Sequence, residues 1–245
     1  MNRSTARGRA DAAAARRGDS KPPIPRRESA TARKQRATAI ADRLAEAYPA
    51  AHCSLDFQTP FQLVIATILS AQCTDKRVNM VTPALFRRWP TADRMARATQ
   101  AQIEEVIRTT GFFRSKAKNI LGCCQALVER HGGDVPRDLA SLVKLPGVGR
   151  KTANVVLGSV FGQAEGVVVD THVGRIARRL GLTRHPDAVR AERDLMAVLP
   201  RDHWIAFSHR AIEHGRTVCA ARGPKCDGCR LSEFCPRIGV AAKRR

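Results

Sequence analysis

Acidic and aromatic residues are scarce in this chain of 245 residues. Asp and Glu together number 22 against 43 Lys and Arg, which gives a formal net charge of +21, and aromatic residues make up 4% of the sequence. Such an excess of positive charge favours binding to a polyanion, of which nucleic acid is the commonest. It says little about the fold, because net charge governs partners and solubility rather than architecture.

Long apolar segments are also missing. No run approaches the roughly 18 apolar residues that a membrane-spanning helix needs, and the N-terminus lacks the apolar core of a secretory signal peptide. No basic helix carries bulky apolar residues on its opposite face, so attachment to a membrane surface is not favoured. We therefore expect no membrane partner and a cytoplasmic location at the nucleoid if the source is bacterial. Organellar and nuclear locations stay open.

The first 36 residues differ in composition from the rest of the chain. They contain eleven Lys and Arg against three Asp and Glu, with no aromatic residue, so they offer little apolar surface to offset the entropy cost of ordering. We predict a basic disordered tail over residues 1–36 and a short basic tail over residues 238–245. The Arg- and Ala-rich character of the first tail also suits an organellar transit peptide.

The sequence between these tails carries helix signals and no alternating strand pattern. Thr59-Pro60 is typical of a cap followed by a first helical turn, and Thr99 with Gln102 forms a capping-box pattern. Apolar residues recur at helical spacing, and Gly111 marks the end of one helix. The sequence therefore predicts an all-α fold, with a short buried extended run at residues 167–169.

Eight cysteines are present, and their distribution is uneven. Four are scattered, and four form a Cys-x6-Cys-x2-Cys-x5-Cys pattern near the C-terminus: Cys219, Cys226, Cys229 and Cys235. Without a secretory signal, this pattern favours a reducing compartment and a thiolate metal site over a disulfide scaffold. Four sulfur ligands suit either zinc or an iron–sulfur cluster, and the spacing alone favours zinc slightly.

The segment over residues 145–151, Leu-Pro-Gly-Val-Gly-Arg-Lys, lies between two helical patterns. Gly147 and Gly149 permit a positive φ and let the backbone approach a ligand closely. The helix that follows presents unpaired N–H groups and the positive end of its dipole, and Arg150 adds a cation. These features favour a contact with the DNA backbone over a plain connection between helices.

Three motifs in this order resemble the endonuclease III family of helix-hairpin-helix DNA glycosylases. They are the hairpin run over residues 145–154, Val-Asp-Thr-His over residues 169–172, and the four terminal cysteines. The similarity spans about residues 37–237. It implies a base excision repair enzyme that binds double-stranded DNA containing damaged bases or abasic sites. Such an enzyme removes oxidised pyrimidines and then cleaves the strand by β-elimination.

The resemblance implies catalytic roles for Lys151 and Asp170. A neutral lysine amine can displace the base at C1′ and form a Schiff base, and the first turn of a helix beside Arg150 disfavours the cation. From spacing alone, Lys151 suits a phosphate-binding cation equally well, and Asp170 suits an N-cap. The family role of Asp170 is to stabilise positive charge developing on the sugar. We expect His172 to be structural and bonded to nearby backbone.

The resemblance also implies residues that contact DNA and hold a cofactor. Gln72 enters the gap that a flipped nucleotide leaves, and Phe112 wedges into the base stack, where the family more often has a smaller aliphatic side chain. The terminal cysteines hold a 4Fe-4S cluster that acts as a structural clip. Arg222 and Lys225, in the loop between the first two ligands, present cations to phosphate.

We expect a monomer with two helical lobes and a DNA-binding cleft between them. One lobe is a helical barrel over residues 53–163 that ends in the hairpin. The other joins residues 37–52 to residues 164–237 and carries the iron–sulfur cluster loop. Lys151 and Asp170 are expected to face each other across the cleft.

Three alternatives remain on the sequence. A monofunctional adenine-mismatch glycosylase shares the hairpin, the aspartate and the cysteines, but it lacks the lysine and carries a further C-terminal domain. A non-catalytic protein that binds DNA structures has no use for an intact pair of Lys151 and Asp170. A redox or signalling protein that uses the cluster has no need for that pair either.

Overall fold

Short polar side chains start most of the helices. In the computed structural model, which describes residues 28–241, eight N-cap side chains accept a hydrogen bond from a backbone N–H in the first helical turn. They are Ser29, Thr59, Thr74, Thr91, Thr99, Asp138, Asp170 and Asp187. The capping box predicted at Thr99 and Gln102 is confirmed, because both of its reciprocal hydrogen bonds form.

Residues 28–241 fold into α-helices and short 3₁₀ turns, with no β-strand in that range. The helices are α1 (Ala30–Ala47), α2 (Pro60–Leu69), α3 (Asp75–Arg88), α4 (Ala92–Ala96), α5 (Gln100–Ile107), α6 (Phe113–His131), α7 (Leu139–Leu142), α8 (Arg150–Phe161), α9 (Thr171–Arg179), α10 (Ala188–Val198) and α11 (Trp204–Thr217). The 3₁₀ turns are Arg108–Thr110, Arg201–His203 and Ser232–Phe234. The all-α prediction is confirmed. Within the described range, no helix is both long and apolar enough to cross a bilayer.

Helices α2 to α8 form the first lobe around a hydrophobic core. α2 lies at its centre and packs against α3, α6 and α8. Leu63, Val64 and Ile65 of α2 are all fully buried, which explains why this helix is apolar on every side. Burial also raises the pKa of the Cys123 and Cys124 thiols. Both are protonated core residues.

The second lobe combines α1 with α9, α10 and α11. Ile40 and Leu44 of α1 and Phe207 of α11 are fully buried, and Leu231 of the cysteine-rich segment joins the same core. The run over residues 167–169 has no regular secondary structure and is followed by Asp170, the N-cap of α9. Within residues 28–241, the first and the last helices therefore belong to the second lobe, and the helices of the first lobe lie between them in the sequence.

The predicted boundary of the N-terminal tail is wrong. α1 begins at Ala30 and is capped by Ser29, so residues 28–36 are helical or directly precede the helix. Residues 1–27, the remainder of the predicted tail, lie outside the described residues.

Arg36 explains why the first helix begins earlier than composition indicates. Its Nη1 donates to the backbone carbonyls of Leu180 at 2.7 Å and of Phe234 at 3.2 Å. The same guanidinium forms two 2.8 Å hydrogen bonds with the carboxylate of Glu28. The two backbone carbonyls lie at the end of α9 and in the cysteine-rich segment, far from Arg36 in the sequence, so no local pattern reveals these contacts.

The start of the predicted C-terminal tail is also attached to the second lobe. The N–H of Ile238 donates to the carbonyl of Arg179 at 3.2 Å. Residues 242–245, which make up the rest of that predicted tail, lie outside the described residues.

Candidate active site

A cleft of about 1500 Å³ lies between the two lobes. The first lobe contributes the connection between α2 and α3 and the start of α8, and the second contributes residues 168–172 and one face of α11. Lys151, Asp170 and Gln72 all line this cleft. The structure thus brings together three of the side chains to which the sequence gives a role.

Lys151 owes its position to the start of α8. The helix begins at Arg150, and its N-cap is Gly149, which has no side chain to cap it. Lys151 lies in the first turn and is exposed to solvent. The first N–H groups of the helix and the positive end of its dipole are therefore available to an anion beside the Lys151 amine.

Asp170 is the N-cap of α9, and its Oδ1 accepts a hydrogen bond from the N–H of Val173 at 2.8 Å. The capping role that the sequence offers for this residue is present. Only one carboxylate oxygen is used in that bond, and the half-buried side chain lines the cleft.

His172 has a different partner from the expected one. Its Nδ1 lies 3.2 Å from Nη2 of Arg175, so a side chain rather than the nearby backbone occupies this ring nitrogen. Arg175 in turn donates to the carbonyls of Gly215 and Cys219. His172 is therefore held to α11 through an arginine on its own helix.

The two hairpin glycines differ in conformation. Gly147 has a φ of +77°, and a Cβ added there would lie 2.9 Å from the Cβ of Asn119. Gly149 has a φ of −88°, so it does not use the positive φ that glycine permits. A Cβ added at Gly149 meets no atom within 4 Å, because this residue borders open space in front of α8.

Arg150 is less available than the sequence indicates. Its Nε donates to both carboxylate oxygens of Glu192 at 3.1 and 3.0 Å, and Nδ2 of Asn154 donates to the same carboxylate at 2.8 Å. The Glu192 side chain is 8% exposed, and that of Arg150 is 42% exposed. Glu192 lies on α10, so this network ties the first turn of α8 to the second lobe.

Gln72 and Phe112 share an uncommon backbone conformation. Their φ values are +52° and +47°, in the left-handed region that residues other than glycine rarely adopt. Gln72 is exposed in the cleft, and Phe112 is 67% exposed. The neighbouring Phe113 instead packs against the first core, with the guanidinium of Arg114 5.1 Å from its ring centroid. Strain of this kind concentrates at functional positions.

Two features of the cleft were missed from the sequence. Arg216 of α11 crosses from the second lobe, and its guanidinium bonds to Asp75 at 2.6 Å and to Ser54 at 3.0 Å. The second missed residue is His209. Burial lowers the pKa of His209, and the nearby His52 lowers it further. Arg216 and Asp75 are separated by 141 positions in the chain, so no sequence signal joins them.

The four terminal cysteines line one small cavity of about 30 Å³ in the second lobe. N–H donors approach two of the sulfurs: Nη1 of Arg179 lies 3.2 Å from Cys219, and the backbone N–H of Arg237 lies 3.4 Å from Cys235. Nε2 of His214 lies 3.6 Å from the sulfur of Cys229. Across residues 28–241, no three His, Cys, Asp or Glu side chains surround a single metal-ion position. Four thiols around a cavity, with donors aimed at sulfur, suit a thiolate-ligated cluster.

Arg222 and Lys225 lie in the loop between Cys219 and Cys226, and both are exposed. The backbone N–H of Lys225 donates to the carbonyl of Val218 at 3.0 Å, which holds this loop against the end of α11. The two side chains therefore extend from a fixed loop on the surface of the second lobe.

Known proteins resemble this chain in sequence over most of its length. Residues 65–201 match the family model described as HhH-GPD superfamily base excision DNA repair protein. The chain is 57% identical over 204 residues to endonuclease III of Synechocystis sp., a match that covers 83% of this chain and 93% of that relative. It is 41% identical over 199 residues to endonuclease III of Escherichia coli K12, covering 80% and 92%.

Two solved structures have the same fold. A non-covalent endonuclease III–DNA complex matches with a TM-score of 0.78 and 43% identity, covering 83% of this chain and 95% of that one. A trapped endonuclease III–DNA covalent intermediate matches with a TM-score of 0.79 and 43% identity, covering 83% and 96%. The family model and these relatives show that the chain belongs to the endonuclease III family of HhH-GPD base excision DNA repair enzymes.

Proposed function

We propose that this chain is a bifunctional DNA glycosylase and abasic-site lyase that removes oxidised pyrimidines from double-stranded DNA. One observation carries the proposal: Lys151 in the uncapped first turn of α8 and Asp170 at the start of α9 line the same cleft. The trapping of a 43% identical relative as a covalent DNA intermediate supports a covalent mechanism. Because the reported relatives are bacterial, we further propose that the enzyme acts in the cytoplasm, at the nucleoid.

Lys151 is the nucleophile in this mechanism. Its neutral Nζ attacks C1′ of the damaged nucleoside, the glycosidic C–N bond breaks, and the base leaves with the bonding electrons and takes up a proton. The C1′–O4′ bond then breaks as a proton passes from Nζ to O4′, which opens the sugar ring and leaves a protonated Schiff base between Nζ and C1′. The available N–H groups at the start of α8 hold the neighbouring phosphate and so orient the sugar.

Asp170 stabilises the positive charge that develops on the sugar as the glycosidic bond breaks. One of its oxygens remains bonded to the N–H of Val173, so the carboxylate keeps its position while the other oxygen faces the sugar. The Schiff base then acidifies the C2′ proton. Its removal drives β-elimination, in which the C3′–O bond breaks and the 3′ phosphate leaves. Water hydrolyses the remaining imine and regenerates the Lys151 amine.

Access to C1′ requires the nucleotide to leave the base stack, at a cost of a few kcal/mol. We assign the vacated space to Gln72, whose amide can pair with the orphaned base, and the opening of the stack to Phe112. Both side chains are exposed and have left-handed backbone conformations, and Gln72 lines the cleft. The backbone at Gly147 and Gly149 then contacts a phosphate of the same strand.

The basic side chains near the cleft contribute to DNA binding to different extents. Arg222 and Lys225 are exposed and are assigned to phosphate contacts. The Nε of Arg150 is already bonded to Glu192, so we assign its remaining guanidinium donors to phosphate while Glu192 fixes its orientation.

We propose that Cys219, Cys226, Cys229 and Cys235 hold a 4Fe-4S cluster. The four thiols line one cavity, and their Cys-x6-Cys-x2-Cys-x5-Cys spacing is the cluster pattern of the endonuclease III family, which favours a cluster over the zinc ion that spacing alone permits. When bound, the cluster clips the C-terminal segment to α9 and α11 as a structural element. Metal analysis of the purified protein should find iron and acid-labile sulfide. Zinc without sulfide would contradict the assignment.

The test of the catalytic proposal compares base release from a thymine glycol duplex by the wild type, Lys151→Gln and Asp170→Asn. We expect Lys151→Gln to bind the duplex and release no base, because glutamine keeps polarity at that site but is not a nucleophile. Asp170→Asn should slow release at least a hundredfold while binding is kept, a loss typical of one preorganised electrostatic group. Base release by Lys151→Gln would instead favour a monofunctional glycosylase.

A further inference from the structure

Lys116 is an unusual residue in the first lobe. Its side chain is buried, with 4% of the residue exposed, although lysine is almost never fully buried without a charged partner. No acidic side chain within residues 28–241 forms an ion pair with it. Its Nζ donates to a single acceptor, the backbone carbonyl of Thr110, at 2.7 Å. Burial lowers the pKa of Lys116, so the fold bears a desolvation cost to keep an amine at this position.

The Thr110 carbonyl belongs to the turn that presents Phe112. We call residues 110–112 the wedge loop. Gly111 and Phe112 have consecutive positive φ values of +67° and +47°, and a phenylalanine in that region is strained. No side chain caps α6 at its Phe112 end. The loop therefore depends on other contacts to keep its shape.

Lys116 supplies those contacts on both sides of the strained peptide. Its backbone N–H donates to the carbonyl of Phe112 at 3.0 Å, while its Nζ reaches back to the carbonyl of Thr110. The Thr110 hydroxyl is already bonded to the carbonyl of Ile107 at 2.8 Å, which fixes the first residue of the loop to the preceding helix. The Phe112 side chain remains 67% exposed at the tip.

We propose that Lys116 is a positioning residue for base excision, and that it acts by holding the wedge loop so that the Phe112 ring meets the base stack of a duplex. The inference rests on the proposed function, in which Phe112 opens the stack. A methionine at position 116 would fill the same buried space without the desolvation cost. The amine therefore serves the geometry of the loop rather than the stability of the core.

The Phe112 ring has a base stack to open only in a duplex, so the experiment compares a duplex with a single strand. The rate of borohydride-trapped adduct formation is measured on one abasic strand, first in a duplex and then as a single strand, under single-turnover conditions. The variants are Lys116→Met, Phe112→Ala and the double variant. Lys118→Met is the matched control, because Lys118 is an exposed lysine on the same helix and its loss removes the same charge.

We expect Lys116→Met to slow trapping on the duplex about tenfold, the effect of losing one well-placed hydrogen bond, and to leave the single strand within about twofold of the wild type. In the Phe112→Ala background, Lys116→Met should have little further effect, since both changes act on the same step. Lys118→Met should keep the wild-type ratio between duplex and single strand.

Equal losses on duplex and single strand would overturn the inference, and so would full additivity with Phe112→Ala. Failure of the wild type to trap either substrate would instead count against the proposed function itself. If Lys116→Met does not fold, Lys116→Gln gives the same comparison, because its shorter amide keeps a polar group but does not reach the Thr110 carbonyl.

Discussion

At the scale of single residues, buried charged groups mark where position matters most. Lys116, Glu192 and Arg179 are each less than a tenth exposed. Lys116 holds the wedge loop, and Glu192 holds Arg150 beside the proposed nucleophile. Arg179 donates to backbone carbonyls and to the Cys219 sulfur at the cysteine cavity. A charge buried without such bonds costs several kcal/mol, so each of these bonds fixes a local geometry.

Arg36 and Arg43 form a matched pair on α1 for a test of the early start of this helix. Arg36 is 12% exposed and bonds to two carbonyls and Glu28, whereas Arg43 is 45% exposed and pairs with Glu46 and Glu233 at the surface. We expect Arg36→Met to lower the free energy of unfolding by about 2 kcal/mol, and Arg43→Met to lower it much less. Denaturant unfolding measures both.

The loss in the free energy of unfolding that Arg36→Met causes should also depend on pH. The hydrogen bond from Arg36 holds the pKa of the Glu28 carboxyl below its ordinary value of 4.5. A carboxyl group whose pKa is lower in the folded state stabilises the fold at pH values above its unfolded-state pKa. This stabilisation is lost as the pH falls through the folded-state pKa. The difference between the wild type and Arg36→Met should therefore shrink below about pH 4.5. A difference that grows in acid contradicts the Arg36–Glu28 pairing.

At the scale of elements, the two glycines of the hairpin before α8 have different structural roles. Gly147 needs a left-handed conformation and a close approach to Asn119 on α6. Gly149 needs neither, yet it borders the open space in front of the first turn of α8. One glycine therefore serves the fold, and we propose that the other leaves room for a phosphate.

Alanine at each hairpin glycine should separate these roles. Gly147→Ala places a Cβ at a positive φ and against Asn119, so we expect a loss of about 1–2 kcal/mol in the free energy of unfolding. Gly149→Ala should unfold like the wild type but bind an abasic-analogue duplex several-fold more weakly. Thermal unfolding and fluorescence anisotropy measure the two effects. Normal binding by a folded Gly149→Ala variant argues against a phosphate contact there.

Local sequence patterns predicted the helices, whereas contacts between residues far apart in the sequence were not predicted. The capping box at Thr99 and the all-α fold follow from residues a few positions apart, and so does the helix start at Asp170. The early start of α1 and the pairing of Arg150 with Glu192 depend on residues far along the chain, and so does the contact of Arg216 with Asp75. No spacing rule reveals such contacts.

At the scale of the whole molecule, the two lobes meet at several independent points around one cleft. Arg216 and Asp75 join them at the cleft edge, and Glu192 joins α10 to the start of α8. These contacts hold the elements that carry Lys151 and Asp170 in fixed relation without closing the cleft. With a formal net charge of +21, such a molecule suits a long, rigid polyanion that enters between the lobes.

The most direct test of the central claim is sodium borohydride trapping on a duplex that contains a single thymine glycol, with the wild type beside Lys151→Gln. The account predicts a covalent protein–DNA adduct for the wild type alone, because borohydride reduces the Schiff base between Nζ and C1′ to a stable amine. An equal yield of adduct from Lys151→Gln would contradict the assignment of the nucleophile. No adduct from the wild type on thymine glycol or on an abasic duplex would contradict the lyase mechanism as a whole.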